Sequence, residues 1–107
     1  MTRINIYRRG GSCIGINISG HSGYDEEGKD IICAAISSLS INFVNSVEKL
    51  TDDTYDLSTD ESRGYIDFVF NSKISPESRV LLDSLILGVK SLSEENKEYV
   101  SYQYKEV

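Results

Sequence analysis

A change of hydrophobic period at Asp30 divides this chain and limits the folds open to it. Before that point apolar residues recur at every second position: Ile4 and Ile6 within residues 3–7, then Ile14, Ile16 and Ile18 within residues 13–19. Side chains alternate across a strand, so each set lies on one face of an extended segment. The two segments read as strands joined through Gly10 and Gly11. From Asp30 onward Ile32, Ile36, Leu39, Phe43, Val47 and Leu50 follow at three- and four-residue steps, the mark of one face of a long amphipathic helix. Between the two regimes, residues 21–29 are Gly-rich and acidic without a period, which predicts a loop with Gly23 and Gly28 as its flexible points.

The remainder of the chain repeats this logic. A short strand is expected around residues 55–57 and a clearer one over residues 63–70, where Ile66, Phe68 and Phe70 share a face and a hairpin turns at Asp60 and Glu61. Ser75, Pro76 and Glu77 mark a helix start: a capping hydroxyl, a proline whose missing N–H costs nothing there, and an acid at the positive end of the dipole. Leu81, Leu82, Leu85, Val89 and Leu92 then form a buried stripe, and Val100, Tyr102 and Tyr104 alternate in a last strand. The order ββαββαβ predicts an α+β fold, with one antiparallel or mixed sheet of about five strands carrying both helices on one face. At 107 residues the chain reads as one domain.

Charge and cysteine usage exclude several classes. Eleven basic residues against seventeen acidic ones, a net charge of −6, leave little with which to neutralise phosphates, so direct nucleic-acid binding is not expected. The acidic excess serves solubility or steers a basic protein partner. Two cysteines do not make the dense disulfide framework of a secreted mini-protein, and a reducing cytoplasm is the expected compartment. Residues 1–11 lack the apolar stretch of a signal peptide, and no apolar run approaches the length of a bilayer span. One histidine and two separated cysteines offer neither the ligand count nor the spacing for zinc; no metal or cofactor is expected.

Chemistry concentrates between Gly20 and Ser37. His21, the sole histidine, follows a strand, and Cys33 falls in the expected first turn of the helix, three residues after Asp30 as its N-cap. Unpaired N–H groups and the positive dipole end there would favour a thiolate and could hold a developing oxyanion. A strand end and a helix start can be neighbours in space, so His21 can serve as base to a Cys33 nucleophile. Each residue also has a plainer reading: Cys33 as a small apolar residue on a helix, His21 as a turn residue. Asp30 serves as the helix cap, as a carboxylate orienting His21, or as both. Ser37, four residues after Cys33, either bonds a carbonyl one turn back or reaches the catalytic pair. Cys13 starts a strand away from any helix end and reads as packing, although a Cys13–Cys33 disulfide would occupy the nucleophile. The loop from Ser22 to Lys29, with Gly20, Ser22, Gly23 and Gly28 as its gating residues, is a substrate-gating lid or a solvated surface loop.

Gly20-His21, eight further residues, and then Asp30-Ile31-Ile32-Cys33-Ala34-Ala35-Ile36-Ser37 closely resemble the signature of the ribosomal-processing cysteine proteases, the Prp family. The resemblance implies that Cys33 is the nucleophile and His21 its base, with Asp30 and Ser37 in supporting roles. It further implies an α+β homodimer that removes the short hydrophobic N-terminal extension of large-subunit ribosomal protein twenty-seven, with an apolar pocket for an aromatic side chain before the cut. Ser22 stands where the family pattern has alanine, and Asp25, Glu26 and Glu27 make this loop more acidic than the pattern. The rival classes are a non-catalytic module that holds a ribosomal partner and a thiol redox sensor. The sensor lacks a resolving cysteine near Cys33 in sequence.

Overall fold

The computed structural model describes residues 1–20 and 27–107, with the side chains of the second segment from residue 31 onward. The chain runs β1 (Thr2–Arg9), β2 (Ser12–Ser19), α1 (Glu27–Leu50), β3 (Tyr55–Asp60), β4 (Tyr65–Phe70), α2 (Pro76–Glu95) and β5 (Val100–Glu106). The strands form one mixed sheet in the order β3-β4-β2-β1-β5. All neighbours are antiparallel except β1 and β5, which pair in parallel from Thr2↔Val100 to Arg8↔Glu106. The α+β architecture and its element order are those expected from the periodicity.

Alternation along the strands sends Ile4, Ile6, Ile16, Ile18, Phe68, Phe70 and Val100 to one face, where they join Ile32, Ile36, Phe43 and Val47 of α1 and Leu82, Leu85, Ile86 and Val89 of α2. Phe68 lies at the centre of this layer, fully buried, edge-on to Phe43 at 4.8 Å and stacked on Tyr55 at 4.7 Å between ring centroids. The other face is polar, as a one-sided sheet requires. There Gln103 donates to Asn5, Asn5 to Asn17 and Asn17 to Asp67, a ladder across four strands. Tyr7 donates to the same Asp67 oxygen at 2.5 Å, and burial together with that carboxylate pushes its phenol well above the ordinary range.

Several boundaries differ from the sequence reading. Leu39 and Leu50, assigned to the buried stripe of α1, are exposed, while Ser40 is buried and donates to the Ile36 carbonyl at 2.7 Å. The helix turns by 100° per residue, so over six turns the face against the sheet drifts away from an idealised stripe. In β2, Tyr7 faces Gly15 but Arg8 faces Cys13, leaving Ile14 as the extra residue of a bulge. The bulge turns Cys13 rather than Ile14 against the core. Ile31–Leu50 is long and apolar enough to pass for a membrane span, which corrects the expectation that no run approaches that length. Serines and asparagines lower hydropathy only mildly; Ser38, Asn42 and Asn45 form the outer face of a helix whose inner face packs on the sheet.

The hairpin and the second helix start as expected. A single 3₁₀ turn, Glu61–Arg63, closes β3 onto β4, and Gly64 ends it in the left-handed region with φ 57°. Ser75 caps α2 by accepting from the Ser78 N–H at 3.2 Å, with Pro76 in the first turn. Truncating Phe68 to alanine removes the ring on which Phe43 and Tyr55 pack. It should cost about 3–5 kcal/mol in the free energy of urea unfolding.

Candidate active site

The site begins at α1. Its inner residues Ile32 and Ile36 are seated in the core, and one residue further round the helix Cys33 and Ser37 stand on the flank that faces the strand ends. A groove of about 460 Å³ runs along that flank. One wall is α1, with Cys33, Ala34, Ser37 and Ile41; the other is Ile18 of β2 with Thr59, Glu61, Tyr65 and Ile66 from the β3–β4 hairpin. A cleft lined mostly by apolar side chains, with few polar groups, suits an extended peptide with apolar side chains. At its inner end lies a cavity of about 50 Å³ bounded by Thr2, Gly20, Cys33 and Gly64. A wider hollow of about 590 Å³ between the end of α2 and β5 is lined by Ser93, Glu94, Lys97 and Tyr102 and holds no thiol.

Cys33 is half-buried, and its Sγ lies 3.5 Å from the Thr2 hydroxyl oxygen. Thr2 in turn donates to the Gly20 carbonyl at 3.2 Å. Gly20 has φ +106°, and a Cβ there would sit 2.3 Å from the Met1 carbonyl oxygen. No other residue type fits this junction, which directly follows the end of β2 at Ser19. Neither cysteine is in a disulfide. Cys13 packs against the core, and burial pushes its thiol up, only partly offset by the Arg79 and Arg8 charges. That environment suits packing rather than nucleophilic chemistry.

The helix start corrects one sequence inference. Because α1 begins at Glu27, Cys33 is its seventh residue and not the third position after an Asp30 cap. An acid at Glu27 is favoured at a helix N-terminus, and Gly28 costs only about 1 kcal/mol against alanine in a helix, so the helix extends three residues upstream. Gly28, expected as a hinge of the loop, has helical backbone in that first turn. The amide of a residue this deep lies within the helical hydrogen-bond ladder, and the dipole acts mainly over the first turn. The thiol of Cys33 therefore does not owe its environment to the helix tip. The positions of His21, Ser22 and Gly23, and the side chain of Asp30, lie outside the described residues. Ser37 lines the groove; among the described residues the bond to a carbonyl one turn back is made by Ser40.

Two site features escaped the sequence reading. Thr2 stands in an otherwise apolar alternation with Ile4 and Ile6, and a lone hydroxyl at a core-facing strand position is a signal that could have marked it. The hairpin wall of the groove comes from residues 59–66, about forty positions from His21, and had no local signature. Among the described residues no cluster of three or more His, Cys, Asp or Glu side chains could hold a metal ion.

A thiol opening onto a peptide-sized apolar groove, on an α+β scaffold of this topology, defines the class of small cysteine peptidases. The family model of cysteine protease Prp matches residues 1–101, and the chain belongs to that family of ribosomal processing cysteine proteases. It is 25% identical over 95 residues to the ribosomal processing cysteine protease Prp of Staphylococcus aureus, covering 89% of this chain and 90% of that one. It is 26% identical over 89 residues to the Bacillus subtilis protein of the same name, covering 79% and 80%. The crystal structure of SMU.848 from Streptococcus mutans superimposes with a TM-score of 0.86 at 33% identity, covering 100% of this chain and 96% of that one. The fold is also that of the S. aureus protease Prp crystallised with a substrate peptide, with a TM-score of 0.90 at 24% identity over 98% of this chain and 100% of that one.

Substituting Gly20 by alanine forces a side chain into the Met1 carbonyl at a positive φ. It should destabilise the protein by more than about 1 kcal/mol in thermal unfolding. Peptidase activity per folded molecule should fall with it, because the strand end before His21 is displaced.

Proposed function

We propose that this chain removes the hydrophobic N-terminal extension of a large-subunit ribosomal protein, number twenty-seven, by acyl transfer from Cys33 with His21 as general base. The observation that carries the proposal is the Cys33 thiol in the wall of an apolar groove sized for an extended peptide. Family membership supplies the ribosomal substrate, and the S. aureus relative, crystallised with a substrate peptide and with a covalently linked product peptide, supports a peptide in that groove.

In this mechanism His21 accepts the Cys33 proton, and the thiolate attacks the scissile carbonyl to give a tetrahedral intermediate. The imidazolium then donates its proton to the leaving amine, and an acyl-thioester remains on Cys33. Water, deprotonated by His21, releases the cleaved extension. No cofactor takes part in these steps. Asp30 and Ser37 act in support, Ser37 from the groove wall beside the sulfur. Ile18, Ile41, Tyr65 and Ile66 would accept the apolar side chains of the extension, including the aromatic residue before the cut. The same family reading carries a cytoplasmic site of action and a homodimer, the latter measurable by light scattering.

Cys33→Ala and His21→Ala are each expected to abolish cleavage of the extension-bearing ribosomal protein in a gel assay, with binding retained. A non-catalytic interaction module would instead leave the natural chain binding the protein without cutting it. Ile41→Glu on the groove wall should raise KM for an extension peptide by about tenfold or more, since it places a charge where an apolar side chain is to be buried. An unchanged KM in a folded Ile41→Glu protein would move the substrate out of this groove.

A further inference from the structure

We infer that Thr2 is a positioning residue for the thiol chemistry of this site, its single hydroxyl proton shared between the Gly20 carbonyl and the Cys33 sulfur. The inference rests on the reading of Cys33 as nucleophile. Thr2 is 4% exposed and faces the core in the row continued by Ile4 and Ile6. Its backbone N–H is already committed, donating to the Tyr99 carbonyl at 2.8 Å. Valine has the same shape without a buried polar atom, so the hydroxyl is costly at this position unless it is bonded. It is bonded on both sides, to the Gly20 carbonyl at 3.2 Å and to Cys33 Sγ at 3.5 Å.

A hydroxyl has one proton and two lone pairs. While Cys33 is a thiol, the Thr2 proton serves the Gly20 carbonyl and Oγ1 can receive the S–H. Once the sulfur has lost its proton to the base, it is an acceptor only. The Thr2 proton then turns to it by rotation about the Cβ–Oγ1 bond, because a hydrogen bond to an ionised partner is the stronger one. No covalent bond forms or breaks at Thr2, and the proton count at its oxygen is unchanged. The Gly20 carbonyl released by that rotation belongs to the peptide directly before His21. Deprotonation of the sulfur is thus transmitted to the strand end that carries the base.

This assignment also answers the position of Cys33 in the seventh place of α1, beyond the turn where helix N–H groups are unpaired. Thr2 supplies from β1 a donor that the helix end does not.

The test compares the full natural chain with Thr2→Val and Thr2→Ser. Two readouts are taken: iodoacetamide alkylation of Cys33 across pH, localised by mass spectrometry, and kcat and KM for an extension peptide. Thr2→Val is expected to alkylate about tenfold more slowly at neutral pH with its profile displaced to higher pH, and to lose about tenfold in kcat with KM within about twofold. Thr2→Ser is expected to restore both. A Thr2→Val profile that overlays the natural one, or a Thr2→Ser protein as impaired as Thr2→Val, overturns the assignment. Should Thr2→Val fail to fold, Thr2→Ala against Thr2→Ser carries the same comparison. If the natural chain cleaves no peptide, the peptidase reading fails, while the alkylation profiles still decide the role of Thr2.

Discussion

The seating of α1 on the sheet is the constraint from which the rest of the site follows. Ile32, Ile36, Phe43 and Val47 lie buried against Ile18, Phe68 and Phe70, and this contact sets the rotation of the helix about its own axis. With Ile32 and Ile36 directed into the core, the residues immediately after them, Cys33 and Ser37, must lie about 100° round, on the flank above the groove. Phe68 fixes the depth of that seating from below, between Phe43 and Tyr55. A helix rolled by one residue would bury the sulfur or turn it to open solvent. Packing and placement of the thiol are one decision.

The two cysteines show how strongly surroundings divide identical side chains. Cys13 faces the core beyond a β-bulge, where desolvation disfavours its charged form. Cys33 borders a groove and contacts a hydroxyl that is itself anchored on the strand end before His21. Gly20 makes that junction possible, since its positive φ and missing Cβ let β2 end against the Met1 carbonyl. Gly20, the thiol and the first strand are therefore tied to one another across β1, β2 and α1.

Much of the fold was legible because it rests on patterns a few residues long. Period two in Ile4–Ile6 and in Ile66–Phe68–Phe70 marked strands, Ser75-Pro76 marked a helix start, and all three stand in the structure. The start of α1 was not legible, because residues 27–30 have no apolar period and Gly28, a weak helix former, reads there as a loop residue. Leu39 left the expected buried stripe and Ser40 is buried beside it for a related reason: a helix stripe is read from spacing, whereas burial depends on which surface lies opposite.

The sequence by itself determined the strand and helix order, the one-sided core and, through the segment from Gly20 to Ser37, the family. These are matters of local period and of contiguous residues. Only the tertiary structure decided the sheet order with its parallel β1–β5 pair, the hairpin wall of the groove and the approach of Thr2 to Cys33 across thirty-one positions. The physical reason is that such contacts arise from the closure of a shared apolar layer, which brings together residues whose own neighbours in the chain say nothing of each other.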